Sequence, residues 1–289
     1  MKIETAIKKA YLDLKDKNIK SALLDSEILM SKAIKEDRSD VLLNSDRILS
    51  NQDYENFREL ISNRLKFKPI AYLTGKKSFW KHEFEINDKV LIPRPDTELI
   101  IEEVLKIYKD KENVKFLEVG VGSGCIILSI LKEKKSFLGK GVDLSKDCIN
   151  ICKLNAIKLG VQNRLKLFKT DIDNFSSGKY DLIISNPPYV KKLDLNKLDK
   201  DVINYEPKLA IDGGLDGLSK IRKIIKKSSE LIKLNGKLVI EIAYDQKKMV
   251  KDILRNNGFF INKVVKDLSK NDRCIISTKI KLDNGNIQK

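Results

Sequence analysis

One stretch of the chain, residues 180–189, constrains the fold most strongly. It reads Tyr-Asp-Leu-Ile-Ile-Ser-Asn-Pro-Pro-Tyr, so an apolar run leads directly into an asparagine and two prolines. The apolar run is typical of a central parallel strand that is covered on both faces. Because proline lacks the N–H that a sheet ladder needs, the strand is predicted to stop at Ser185. Residues 186–189 then form a stiff loop at the carboxyl end of a strand, where open α/β sheets bind ligands.

The residue types in this loop indicate a particular chemistry. Asn186 has a side-chain carbonyl, and Pro187 has a backbone carbonyl with no neighbouring N–H of its own. Together they could accept both hydrogens of a planar –NH2 group. Tyr189 adds an aromatic face on which a planar amide or base could stack, and which attracts positive charge. On local grounds alone, an ordinary Asn-Pro turn is the competing interpretation.

From Val114 onward, segments with strand and helix patterns alternate, which predicts an α/β domain with a mostly parallel sheet. The last two predicted strands have only residues 268–272 between them, too few for a crossover helix, so they are expected to pair antiparallel. The predicted strands are 115–119, 138–142, 165–169, 181–185, 237–242, 260–266 and 273–280. The predicted helices are 124–133, 146–159, 217–233 and 246–256.

The region before residue 114 has a different organisation. From Thr5 to about Phe67 the pattern is helical, and Ser50 with Asp53 resembles an N-terminal capping pair for a helix that runs through Leu65. Residues 80–86 then alternate between apolar and polar side chains. We expect them to pair with residues 89–92 in a β-hairpin whose turn is Asn87-Asp88.

After the hairpin, Pro93 and Pro95 predict an extended path that leads into a helix capped by Asp96 or Thr97. Arg94 lies between these prolines. A fixed arginine beside a helix N-terminus could help to hold a substrate or cofactor, and a stiff linker is an equally good interpretation on local grounds.

A second ligand-binding pattern precedes the Asn-Pro-Pro-Tyr loop. Strand 115–119 leads into a glycine-rich turn, where backbone can approach a ligand closely. The spacing is G-x-G-x-G, which differs from the dinucleotide fingerprint and is weak evidence alone. The second strand ends at Asp143, where a carboxylate can accept both hydroxyls of a ribose. At the end of the third strand, Asp171 could accept an adenine amino group and Ile172 could cover an adenine face.

Composition narrows the class of protein. The formal net charge is +16, which fits either a nucleic-acid or ribosomal partner or compositional drift in the genome. None of the four cysteines forms a C-x-x-C pair and His82 is the only histidine, so neither disulfides nor a metal site is expected. No apolar run of about eighteen residues is present, and residues 1–5 do not resemble a secretion signal. A cytoplasmic location is therefore expected.

The glycine turn, Asp143, Asp171 and the Asn-Pro-Pro-Tyr loop together resemble the S-adenosylmethionine-dependent methyltransferases that act on amino groups. From about residue 69 to 280, the chain resembles the glutamine methyltransferases of peptide chain release factors, the HemK or PrmC family. The motifs that carry this narrower resemblance are Pro69-x-x-Tyr72-x-x-Gly75, Phe79, residues 90–98, Tyr205-Glu206-Pro207, residues 213–217, Glu241-Ile242, Gln246, Asp267-Leu268 and Asp272-Arg273. The chain departs from the family pattern at Glu118, Ile172, Ala243 and Lys270.

The resemblance implies a Rossmann-like seven-stranded methyltransferase domain over residues 96–289, a helical substrate-docking domain over residues 1–75, and a hairpin linker over residues 76–95. It implies transfer of a methyl group from S-adenosylmethionine to the glutamine side-chain nitrogen in the Gly-Gly-Gln motif of release factors, which are the expected protein partners. Nucleic-acid contact is compatible with this function but not required, and neither a metal nor a membrane is expected. Two alternatives remain: an adenine amino-methyltransferase acting on DNA or RNA, and a basic binding protein that keeps the fold without activity.

The expected site residues fall into three groups. The catalytic residues are Asn186, Pro187 and Tyr189. The cofactor-binding residues are Gly120, Val121, Gly122, Ser123, Gly124, Asp143, Asp171, Ile172 and Asn186. The substrate-binding residues are Asn186, Pro187, Pro188, Tyr189, Arg94 and Glu206.

Overall fold

The computed structural model describes residues 1–281, so residues 282–289 of the expected methyltransferase domain lie outside the described residues. Chain contacts divide the protein into two compact units. The first unit consists of Met1–Lys76 together with Asp199–Tyr205, and the second contains the remaining described residues. Within residues 1–281, no helix is both long enough and apolar enough to span a membrane.

The first unit is helical. Its helices are α1 (Ile3–Asp16), α2 (Ala22–Ile34), α3 (Arg38–Leu43), α4 (Asn51–Leu65), α5 (Ile70–Thr74) and α9 (Lys200–Tyr205). The expected cap of α4 is confirmed, because the Ser50 hydroxyl accepts the Asp53 N–H at 3.1 Å. Apolar side chains from α1, α2 and α4 form one buried core, which includes Leu14, Leu29 and Phe57.

Helix α9 was not predicted from sequence. It packs within the first unit although it comes from the loop that follows residues 186–189. The Tyr205 hydroxyl donates to the Lys66 carbonyl oxygen at 2.9 Å, and the Lys200 ammonium lies 4.9 Å from the centre of the Phe67 ring. Short helices that depend on contacts with distant residues carry little local sequence signal.

A two-stranded hairpin of β1 (Lys76–Phe79) and β2 (His82–Glu85) is present, but the predicted turn at Asn87-Asp88 was wrong. The turn is Trp80-Lys81, where Trp80 has a φ of 55°. The Glu98 carboxylate accepts the Trp80 N–H at 2.8 Å and so stabilises this turn. Residues 89–92 do not form a strand, although Val90 and Ile92 are buried as the alternating pattern suggested.

The second unit contains the seven-stranded sheet. Its strands are β3 (Lys115–Val119), β4 (Leu138–Asp143), β5 (Leu165–Lys169), β6 (Tyr180–Ser185), β7 (Ile232–Glu241), β8 (Phe259–Lys266) and β9 (Asp272–Lys279). Its helices are α6 (Glu98–Ile107), α7 (Cys125–Glu133), α8 (Lys146–Lys158), α10 (Ser219–Leu231) and α11 (Lys247–Asn256). The order across the sheet is β5-β4-β3-β6-β7-β9-β8. The five strands β3, β4, β5, β6 and β7 pair parallel with their neighbours among these strands. β8 and β9 pair antiparallel, as predicted, and β9 also pairs antiparallel with β7.

Successive residues of the central strands face opposite sides of the sheet and fill two cores. Phe116, Leu182 and Ile184 belong to the core under α6, α7 and α8. Leu117 and Ile183 belong to the core under α10 and α11. The strand order reverses between β3 and β6, and in doubly wound sheets a crevice opens at such a point beyond the carboxyl ends of the strands.

The predicted side-chain cap of α6 was wrong. A short 3₁₀ turn, Pro95–Thr97, precedes α6, and neither Asp96 nor Thr97 caps it: Thr97 makes no side-chain capping bond. The Thr97 hydroxyl is instead the acceptor for the side-chain amide of Asn186 at 3.1 Å. A short polar side chain before a helix has several possible partners, and here a tertiary partner takes the place of the helix N–H groups.

Candidate active site

A cavity of ≈ 220 Å³ lies within the second unit at the carboxyl edge of the sheet. It is bordered by the loops that follow β3, β4, β5 and β6. Eleven of the expected site residues line it: Arg94, Gly120, Val121, Gly122, Ser123, Asp143, Asp171, Ile172, Asn186, Pro187 and Pro188. The topology therefore brings together side chains that are up to about a hundred positions apart in the sequence.

The glycine-rich loop after β3 forms one wall of the cavity. Gly120 and Gly122 have positive φ angles of 79° and 52°, and a Cβ built on either would meet nothing within 4 Å. Their lack of side chains leaves room for a ligand to approach the backbone closely. Gly124 has a different role, because a Cβ there would lie 2.6 Å from the Cys152 sulfur, so this glycine permits close packing of α7 on α8.

Asp143, at the end of β4, is tied to this loop. One carboxylate oxygen accepts the Gly122 N–H at 3.0 Å, and the other accepts the Ser145 N–H at 2.9 Å. Partial burial raises the pKa of Asp143, while these backbone N–H groups act in the opposite direction. A carboxylate oxygen has a second lone pair after accepting one hydrogen bond, so both oxygens remain able to accept ribose hydroxyls from the cavity.

Asp171 and Ile172 lie at the end of β5, at the edge of the cavity. Asp171 is held by the Lys223 ammonium at 2.8 Å and accepts the Asp173 N–H at 3.0 Å. Lys223 also lines the cavity and was not singled out from the sequence. The carboxylate therefore already has two donors, and its remaining lone pairs are those that an adenine amino group could use.

The loop of residues 186–189 is fixed by a buried glutamine. The Gln246 side-chain N–H donates to the Tyr189 carbonyl oxygen at 3.0 Å and to the Gly217 carbonyl oxygen at 3.1 Å. Its side-chain oxygen accepts the Ala243 N–H at 3.0 Å. Gln246 thus ties together three loops at the carboxyl edge of the sheet.

Beneath this loop lies a buried network of polar side chains. The Asn186 amide donates to the Thr97 hydroxyl at 3.1 Å, and the buried Glu241 carboxyl neighbours Thr97. The Tyr189 hydroxyl donates to Glu241 at 3.3 Å. Burial raises the pKa of Glu241 to about 7, although Thr97, Arg273 and Tyr189 all favour its charged form.

Three expected site residues, Gly124, Tyr189 and Glu206, are not among the described residues that line the cavity. Tyr189 packs against the core under α10 and α11, and burial raises the pKa of its hydroxyl. Glu206 is buried and forms an ion pair with Arg94, which does line the cavity. Glu206 therefore contacts the cavity through the guanidinium that it holds.

Sequence reasoning missed several residues that build the site. Leu91 and Pro93 line the cavity, whereas their segment was interpreted as a hairpin strand and linker. Asn155 is buried on α8; its side-chain N–H donates to the Ser123 carbonyl oxygen at 3.0 Å, and its side-chain oxygen accepts the Glu85 N–H at 2.8 Å. Nothing in the local sequence distinguishes Asn155 from the exposed polar residues of α8.

Two family models match the chain. The model described as PrmC N-terminal domain matches residues 5–75, and the model described as Methyltransferase small domain matches residues 95–215.

Curated relatives that are similar over nearly the whole chain include two release factor glutamine methyltransferases. A release factor glutamine methyltransferase of Clostridium acetobutylicum is 36% identical, covering 96% of this chain and 99% of the relative. One of the same name from Caulobacter vibrioides is 33% identical, covering 93% of this chain and 94% of the relative. Among solved structures, a methyltransferase from Pyrococcus furiosus has a TM-score of 0.54 at 15% identity, covering 76% of this chain and 99% of that chain, a likeness of fold.

Proposed function

The chain belongs to the release factor glutamine methyltransferase family, and we propose that its carboxyl-edge cavity methylates the glutamine of the Gly-Gly-Gln motif in peptide chain release factors. The enzyme uses S-adenosylmethionine and acts on the side-chain nitrogen of a release-factor glutamine. The observation that most supports the proposed site is that Asn186 and Pro187 line the same cavity as the glycine loop and Asp143. The acceptor clamp and the cofactor cradle are therefore adjacent. We also propose that the enzyme acts in the cytoplasm, with release factors.

The residues of the cavity suit S-adenosylmethionine. The open space beside Gly120 and Gly122 accommodates a ligand against the backbone, and Asp143 offers carboxylate oxygens to a ribose. Ile172 supplies an apolar surface and Asp171 a hydrogen-bond acceptor for the adenine end. When bound, the cofactor supplies an electrophilic methyl group on a sulfonium.

The difficulty of the reaction lies in the acceptor. An amide nitrogen is a weak nucleophile because its lone pair is delocalised into the carbonyl group. We assign to the Asn186 side-chain oxygen and the Pro187 carbonyl oxygen the role of accepting the two N–H groups. These two bonds orient the nitrogen toward the methyl group, and they stabilise positive charge as it builds on nitrogen. One N–H proton is then released to water, which leaves a neutral N-methyl amide. Fixed alignment of reacting groups is worth roughly 7–11 kcal/mol in favourable cases.

The helical unit is proposed to dock the body of the release factor. Its surface carries exposed apolar side chains at Leu43 and Ile48, which are 81% and 74% exposed. Exposed apolar surface of this kind is typical of protein contact sites when several such residues lie together. Docking outside the cavity would select a whole release factor over a short peptide, because remote binding energy contributes to catalysis.

The alternative acceptor is an adenine amino group, which presents the same planar –NH2. Incubation with tritium-labelled S-adenosylmethionine separates the two. We expect label on a release factor whose glutamine is unmodified, and none on DNA or RNA at any salt concentration. Salt-sensitive labelling of nucleic acid without labelling of the release factor would contradict the proposal.

A further inference from the structure

The Asn186 side chain is oriented by a partner that the reaction itself does not require. Its Nδ2 donates to the Thr97 Oγ1 at 3.1 Å. Thr97 is 2% exposed and borders the cavity beside Asn186. The two residues are 89 positions apart in the sequence, and the contact joins the loop after β6 to the turn before α6.

The hydroxyl of Thr97 carries a single hydrogen, and the direction of its bonds follows from its neighbours. The buried carboxyl of Glu241 neighbours Thr97, and the Thr97 hydroxyl favours the ionised form of that carboxyl. A hydroxyl hydrogen directed toward Glu241 leaves the Thr97 oxygen as an acceptor. The structure shows the Thr97 oxygen in this role, because the nitrogen of the Asn186 amide lies 3.1 Å from it.

We propose that Thr97 is a positioning residue for methyl transfer: its hydroxyl oxygen accepts the Asn186 amide N–H and so keeps the Asn186 side-chain oxygen for the glutamine amide. This inference rests on the proposed function, since it assumes that Asn186 receives that amide. Asn186 lines the cavity while Thr97 occupies its nitrogen. An inverted Asn186 amide would face the substrate –NH2 with its own –NH2, and neither group could accept.

Glu241 is itself held from two further directions. The Tyr189 hydroxyl donates to its Oε1 at 3.3 Å, and the charge of Arg273 favours its ionised form. Arg273 is fixed by Asp267 at 2.9 Å and lies 3.4 Å from Asp96. Thr97 therefore neighbours a polar network that is anchored in β7 and β9.

The test compares Thr97→Val, which keeps the side-chain shape without the hydroxyl, with Thr97→Ser, which keeps the hydroxyl. Thr97→Val should lower kcat on a whole release factor about tenfold, the value of one well-placed hydrogen bond. Its Kd for S-adenosylmethionine and its KM for the release factor should stay within about twofold. Thr97→Ser should recover most of the lost rate. Ser228→Ala, which removes a buried hydroxyl on α10 away from the cavity, is the matched control and should leave kcat unchanged.

A double-mutant cycle distinguishes a positioning role from a general loss of packing. If Thr97 acts through Asn186, Thr97→Val should change kcat less than about twofold in an Asn186→Ala background. An equal loss in both backgrounds would overturn the inference, as would a Thr97→Val kcat within about twofold of the parent. Failure of the proposed function has a different signature, because Asn186→Ala alone would then keep its full rate.

Discussion

Gly217 lies against the carbonyl oxygen of Tyr189: a Cβ built on Gly217 would lie 2.5 Å from that oxygen and 2.7 Å from the Gln246 amide nitrogen. The φ angle of Gly217 is +75°, in the region that favours glycine. This close approach allows the loop of residues 213–217 to share Gln246 with the catalytic loop. The position of residues 186–189 therefore depends on a glycine that does not line the cavity.

Gly217→Ala should accordingly displace the Asn-Pro-Pro-Tyr loop. We expect a fall in kcat of at least tenfold, with cofactor affinity nearly unchanged, and a loss of roughly 1–3 kcal/mol in unfolding free energy. Gly160→Ala is the matched control, because Gly160 has a φ of +68° but open space around its Cβ position. It should lose stability from backbone strain alone and keep its rate. Equal kcat values for the two variants would show that the Tyr189 contact has no catalytic consequence.

Asp143→Ala should weaken S-adenosylmethionine binding at least tenfold, measured by calorimetry on the folded variant. The variant lacks the carboxylate that is expected to accept the ribose hydroxyls, and each of those charge-assisted bonds is worth about 1.5–3 kcal/mol. The bond between Asp143 and the Gly122 N–H is lost as well. Asp147→Ala removes an exposed carboxylate nearby on α8 and serves as the control for net charge. Unchanged affinity in Asp143→Ala would remove Asp143 from the cofactor site.

Much of the fold could be predicted because it follows from local patterns. Two prolines predicted where the strand that ends at Ser185 would stop. The alternation of strand and helix patterns predicted the parallel sheet. The hairpin turn was misplaced because the pattern alternates on both sides of Asn87-Asp88, in residues 80–86 and 89–92. The contact that stabilises the actual turn, between the Trp80 N–H and Glu98, is tertiary. The prediction that Thr97 caps α6 was wrong for the same reason, because the partner of Thr97 is the distant residue Asn186.

The residues expected to bind the cofactor were easier to predict than the buried residues that hold the site in place. Glycines and an acid at strand ends carry a signal at short sequence separation. Thr97, Glu241 and Gln246 gain their roles only when the sheet brings β6, β7 and the turn before α6 together. The sequence contained Glu241 and Gln246 as motif residues. Nothing local could indicate that Glu241 accepts the Tyr189 hydroxyl or that Gln246 holds the backbone of Tyr189.

Glu241 should make the stability of the protein depend on pH. Its folded-state pKa is raised by burial from 4.5 to about 7, so folding favours its protonated form. The contribution of the protonated Glu241 carboxyl to folding stability is fully present below about pH 4.5, and it is lost as the pH rises through about 7. The unfolding free energy of Glu241→Gln minus that of the parent should rise by about 3 kcal/mol across this window. Denaturant unfolding at several pH values measures this difference in unfolding free energy. A difference that is constant with pH would show that the pKa of Glu241 is not raised in the folded protein.

The docking role of the helical unit predicts a selective effect on the protein substrate. Leu43→Asp combined with Ile48→Asp should raise KM for the release factor severalfold. Cofactor affinity and the slow reaction with a short Gly-Gly-Gln peptide should not change. Leu234→Asp, at an exposed site near the amino end of β7, is the control. An unaltered KM in steady-state assays of the double variant would exclude this surface from docking.

The most direct test of the central claim locates the transferred methyl group. A release factor with an unmodified glutamine is incubated with S-adenosylmethionine and either the parent enzyme or Asn186→Ala, and its peptides are sequenced by tandem mass spectrometry. We predict one added methyl group on the side-chain nitrogen of the Gly-Gly-Gln glutamine with the parent. With Asn186→Ala we predict a rate lower by roughly two to three orders of magnitude, at nearly unchanged cofactor affinity. A methyl group on any other residue, or full activity of Asn186→Ala, would contradict the account.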